Sequence, residues 1–133
     1  MWTVQNSVGR LVEARLTTTD SNSAAACLAG IAQLVASAPF RVVGLLDVSR
    51  VRVFGREDAE RFVAVMREDN PRVERTAIFI NGDALFGMQM ERLVRAAALP
   101  CRQVFRAAGP AITWLAEVLN PEEVARARAF MAE

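Results

Sequence analysis

Residues 45–62 read LLDVSRVRVFGREDAERF, and the fold turns on how this stretch is interpreted. Extended back to Arg41, the run RVVGLLD is apolar without alternation, the mark of a strand buried on both faces. It stops at Asp47 and Ser49. Arg50, Arg52 and Arg56 then alternate with Val51, Val53 and Phe54. From about Arg56 to Asp69 the apolar Ala59, Phe62, Val63 and Met66 fall on one helical stripe, with Glu57 one turn before Arg61 and placed to pair with it. A doubly buried strand feeding an amphipathic helix is the repeating unit of a parallel α/β sheet.

The same unit recurs on either side. Upstream, WTVQ and RLVEARL read as a hairpin around NSVG, with turn chemistry at Asn6, Ser7 and Gly9. Asp20, Ser21 and Ser23 offer N-caps for a helix to about Ser37, stopped by Pro39, with Ala24, Cys27, Leu28, Ile31, Leu34, Val35 and Ala38 toward the core. Downstream, Asn70 and Pro71 end the second helix, and TAIFIN is another buried strand. Gly82 and Asp83 turn the chain into a helix whose Leu85, Phe86, Met90, Leu93 and Ala97 face the core, closed by Pro100. CRQVFR reads as a half-buried strand near an edge, and Pro110 begins PAITWLAEVL. In NPEE, Asn120 is an N-cap, Pro121 stands at N1 and Glu123 at N3 of a last helix. The order β-β-α-β-α-β-α-β-α-α predicts one α/β domain over residues 1–133, a mostly parallel sheet of about five strands with an N-terminal hairpin and right-handed crossovers.

Composition removes whole classes of chemistry. Of 133 residues 53% are hydrophobic, enough for one core without disulfides or metal. There is no His, Lys or Tyr, so Ser-His-Asp and Cys-His catalysis, Schiff-base and P-loop lysines and His-ligated zinc are excluded within the chain. Nothing in the residues asks for a cofactor or a metal. Sixteen arginines nearly balance fifteen acids, giving no general attraction to nucleic acid or anionic membrane. Cys27 and Cys101 are expected as reduced thiols packed inside. The start MWTVQNSVGR lacks the basic and apolar regions of a secretion signal, so a cytoplasmic protein is expected. Residues 21–40 carry no charge but are mostly Ala and Ser, too polar for a membrane span.

The segment GLLDVSRVRVFGREDAERFV resembles the central part of STAS domains, where a buried strand ends in Asp-x-Ser before a loop and helix. The later Val104-Phe105-Arg106 and Ala111-Ile112-Thr113-Trp114-Leu115 are similar to the second half of the SpoIIAA-like (STAS/SEC14-like) bacterial group. The resemblance implies helices chiefly on one face of the sheet and action through protein contacts, as in anti-sigma-factor antagonists. Partner-switching members carry a phosphorylatable serine at the start of the helix after this loop, commonly within Asp-Ser-Ser-Gly. With Asp47-Val48-Ser49 matched, that motif falls on Gly55-Arg56-Glu57-Asp58, which offers no hydroxyl.

The leading expectation is therefore a non-catalytic regulator or scaffold that binds an unidentified protein, without the family's phosphoacceptor. Arg50, Arg52 and Arg56 are the candidate docking patch, suited to an acidic surface or an anion at the following helix. The competing expectation is a small-ligand domain or enzyme using Asp47 and Asp83 near the carboxyl ends of buried strands, where open α/β sheets place ligands. Either Asp can equally cap a turn or helix start, and Ser49 reads as a structural serine. Met88 and Met90, with Phe86 and Gln89, fit either an adaptable apolar surface or an irregular core. On the first helix the side away from the core presents Ala25, Ala29, Ala32, Gln33 and Ala36, free of charge where the other helices carry Glu and Arg. Covering that strip with its own symmetric copy predicts a homodimer.

Overall fold

The computed structural model describes residues 1–98 and 100–133. Its strands are β1 (Trp2–Val8), β2 (Leu11–Leu16), β3 (Val42–Asp47), β4 (Val73–Phe79) and β5 (Arg102–Phe105). Its helices are α1 (Ser21–Ser37), α2 (Arg56–Asp69), α3 (Ala84–Ala96), α4 (Ala108–Ala116) and α5 (Pro121–Ala132), and a 3-10 turn, Asn70–Arg72, follows α2. Spatial order follows sequence order, β1-β2-β3-β4-β5. β1 is antiparallel to β2, while β2 to β5 run parallel.

Alternation along the strands divides the core in two. One face carries Ala14, Leu46 and Ile78, covered by α1, α2 and α3 through Leu28, Phe62 and Met90. The other carries Leu11, Val43, Leu45 and Ala77 beneath α4 and α5, through Leu115 and Phe130. Three of the five helices thus share a face, and the last two cover the face the crossovers leave open. β3 and the second half of β4 are covered on both sides, which is why their sequences do not alternate there.

Local differences from the sequence reading have local causes. β1 continues through the expected turn to Val8, with a register shift between Gln5 and Val8. Asn6 Nδ2 donates to the carbonyls of Gly9 and Leu11, and Ser7 Oγ donates to Glu13, so these polar residues serve an irregular strand end instead of a turn. The reversal itself uses Gly9 at φ +54, where a Cβ would also run into the Glu123 carboxylate. β4 starts at Val73, three residues before TAIFIN. Leu85 does not face the core: it is 66% exposed, because the buried stripe of α3 follows Phe86, Met90, Leu93 and Ala97 at helical spacing and leaves position 85 beside the cap. The capping box on Asn120 and Glu123 forms as read. Cys27 is buried and Cys101 half-buried, both as free thiols. No helix among the described residues is long and apolar enough to cross a membrane.

Candidate functional site

The carboxyl end of the sheet is assembled from the end of β3, the loop to α2 and the start of α3. Register places Arg15 of β2 beside Asp47 of β3, and Arg15 Nε donates to Asp47 Oδ2 at 2.8 Å. The other carboxylate oxygen accepts from the Ser49 backbone N–H at 2.9 Å and from Ser49 Oγ at 2.7 Å. Burial pushes this carboxyl up, but the bonds from Ser49 and Arg15 outweigh it and hold Asp47 below its ordinary value. An ionised carboxylate with both oxygens engaged fixes the loop; it is not poised to take a proton.

Asp83 has a different task. Its Oδ1 accepts from the backbone N–H groups of Leu85 and Phe86, an N-cap for α3. Asn81 links the two aspartates: its Nδ2 donates to the carbonyls of Ser49 and Val51 while its Oδ1 accepts from the Asp83 N–H. One turn further, buried Gln89 pairs with both the N–H and the carbonyl of Phe54, each at 2.8 Å. The Phe54 ring packs on Phe62 and edge-on to Phe86. Asp47, Asn81 and Gln89 are thus spent on holding the loop, while Arg15 also reaches the Phe130 carbonyl of α5.

What remains outward mixes arginines and apolar side chains with the exposed carboxylates of Glu57, Glu60 and Asp83. Arg50, Arg52 and Arg56 are all exposed. Arg56 meets Glu60 at 3.2 Å with its side chain 93% exposed, a pair of little strength, and none of the ion pairs among the described residues involves Arg50 or Arg52. Val53 is exposed in the same loop, and Leu85 and Met88 are exposed on α3, whose Gln89 is tied to Phe54. Phe86 and Met90 are wholly interior, so Met88 alone of that group reaches solvent. Elsewhere, Ala29, Gln33 and Ala36 of α1 are exposed, whereas Ala25 and Ala32 are half-buried.

The chain superimposes on a solved structure described as that of the anti-sigma factor antagonist SpoIIAA in its unphosphorylated form. The match has a TM-score of 0.64 and 14% sequence identity, over 90% of this chain and all of the other. The chain has the SpoIIAA-like, or STAS, fold. No family model and no curated protein matches its sequence.

Within this SpoIIAA-like frame, α2 opens on Gly55, Arg56, Glu57 and Asp58. Asp58 is buried, accepting from Ser21 Oγ at 3.1 Å and from Arg61 at 2.9 Å, so the helix start is tied back to α1. Glu57 pairs with Arg61 at 2.6 Å, as its spacing implied. Sequence reasoning missed Arg15 and Asn81 as the organisers of the loop. A lone Arg in an amphipathic strand and an Asn after a buried strand are common surface residues, and only the parallel register reveals what they face.

Proposed function

We propose that this chain is a non-catalytic regulatory or scaffold domain that binds another protein through the carboxyl end of its sheet, using Arg50, Arg52 and Arg56 together with the exposed apolar Val53, Leu85 and Met88. The observation that carries this is the contrast between the loop's interior, where Asp47, Asn81 and Gln89 are engaged within the protein, and its outer surface, where Val53 stands exposed between Arg50 and Arg52, neither of them in an ion pair among the described residues. Such a surface suits an acidic partner with an apolar centre, arginine being favoured over lysine at contacts that lose water. The likeness to an anti-sigma factor antagonist supports a bacterial, cytoplasmic regulator of the same general kind. Control operates without phosphorylation at the start of α2, since no hydroxyl stands on Gly55-Arg56-Glu57-Asp58. Homodimerisation through Ala29, Gln33 and Ala36 of α1 belongs to the same reading.

The test is quantitative capture from the source organism with wild type and with the Arg50→Glu/Arg52→Glu double variant. A specific acidic partner should be retained by the first and lost from the second, with the melting temperature little changed. Equal recovery of every retained protein by both would defeat the proposal.

A further inference from the structure

Helices α2 and α3 do not close on each other along their whole length. Between them lies a groove of about 580 Å³, in which the more buried Phe54, Ala59, Val63 and Leu93 form the floor and the exposed Arg56, Glu60, Arg67 and Arg92 the rim. Hydrogen bonds tie both of its ends. At one, the Gln89 side chain holds the backbone of Phe54; at the other, Arg67 Nε donates to the Ala96 carbonyl at 2.9 Å. From Gln89 to Ala96 the helix rises about 10 Å. Between the ties the apolar side chains of α2 are Ala59, Val63 and Ala64, too short to fill the space against α3.

The rim is unevenly charged. Glu60 is the one acid among the described lining residues, and it is spent on Arg56. Arg67 and Arg92 take part in no ion pair among the described residues. Arg67 meets the Ala96 carbonyl through Nε, which leaves the outer N–H groups of its fork for another acceptor. Two guanidinium groups thus stand without a carboxylate above an apolar floor.

We propose that this groove binds a small organic anion, an apolar body carrying a carboxylate or a phosphate, with the body on Val63 and Leu93 and the head held by Arg92 and Arg67. Arg92 stands one helical turn before Ala96, where Arg67 is anchored, so both forks reach toward the same end of the groove. Guanidinium grips either kind of head through paired N–H groups. A neutral molecule of the same shape covers the floor but leaves both arginines without a partner, and a cation is repelled by them. The tied ends suit a short body; a docked helix of three turns needs about 16 Å. The groove shares Arg56 with the proposed docking surface but does not rest on it, because Arg67 and Arg92 lie outside that surface.

The experiment is titration of the ¹⁵N-labelled protein with hexanoate, hexyl phosphate, 1-hexanol and hexylamine, read by amide shifts. At least one of the two anions should give saturable shifts confined to the facing parts of α2 and α3, with a dissociation constant on the order of millimolar; the alcohol and the amine should not. Comparing the two anions shows which head the arginines prefer. Arg92→Gln keeps the helix and should weaken binding about tenfold, through loss of a charge-assisted contact. Arg95→Gln makes the same change of net charge at an exposed position of α3 outside the groove lining, and should leave the affinity as it was. Failure of both anions to saturate, equal binding of the alcohol or the amine, unchanged binding in Arg92→Gln, or an equal loss in Arg95→Gln would each overturn the assignment.

Discussion

Replacing Asp69 by Asn should stabilise the protein at neutral pH and have little effect in acid. Burial pushes this carboxyl from 3.8 up to about 6; Arg102 and Arg72 pull it down, and Glu68 adds to the rise. The raised folded value means that between roughly pH 4 and 6 the native state holds a proton that the unfolded chain has lost, so stability falls as pH rises through this window. Below 3.8 the group is neutral in both states and the penalty disappears. A rise from 3.8 to about 6 corresponds to at most about 3 kcal/mol above pH 6, a ceiling that solvent reaching the carboxylate lowers. That figure is an upper bound, since an amide also needs hydrogen bonds. Urea unfolding of wild type and Asp69→Asn at pH 3.5 and 7.5 reads the difference directly: the variant should gain 1–3 kcal/mol (~1–3 by the same conversion) on going to pH 7.5 relative to pH 3.5. If the variant is instead less stable at pH 7.5 by as much as at pH 3.5, the ionised carboxylate is stabilised in the fold. The account of a carboxylate penalised by burial would then be wrong.

Other outcomes follow from single contacts. Glu13 is wholly buried on β2 and accepts from Arg126, Gln5 and Ser7; Glu13→Ala should cost about 3 kcal/mol in urea unfolding, because it strands the partners that hold α5 to the sheet. Ser49→Ala should cost about 1 kcal/mol and broaden the amide resonances of residues 49–53, since Asp47 keeps Arg15 but loses its hydroxyl donor. Ala98 sits after α3 at φ +61, so Ala98→Gly should raise stability by up to about 1 kcal/mol; no gain would mean that the left-handed cap is not populated in solution. Ala29→Arg with Ala36→Glu should shift sedimentation from dimer to monomer, and a wild type that is already monomeric at high micromolar concentration removes the dimer from the proposal.

Much of this architecture was written in local pattern. The unbroken apolar runs at 42–47 and 76–80 could only be strands covered on both faces, and the stripe on Phe62 and Met66 could only be a helix covering one of them; the boundaries of α1 and α2 follow from Asp20, Pro39 and Asn70. Such signals are legible because burial and hydrogen bonding act on residues a few positions apart, so period and caps survive in the linear sequence. The same was true of Asp83 and Asn120, whose caps are made within their own turns.

What only the folded chain decided depends on residues far apart in sequence. Asp47 was visible as a carboxylate at the end of a strand, but whether it was a free acid or a structural acceptor rested on Arg15, which stands 32 positions away and comes alongside only through parallel register. Leu85 and Phe86 are adjacent and both apolar; which one enters the core was fixed by the docking of α3 against Phe54. Asp69 closes an ordinary amphipathic helix, and nothing in its neighbours marks it as buried near Arg102 of β5, which only the packed fold brings close. Sequence pattern records which face of each element is apolar, but the field around a charge and the volume left between side chains are sums over several elements, and they take values only once those elements have packed together.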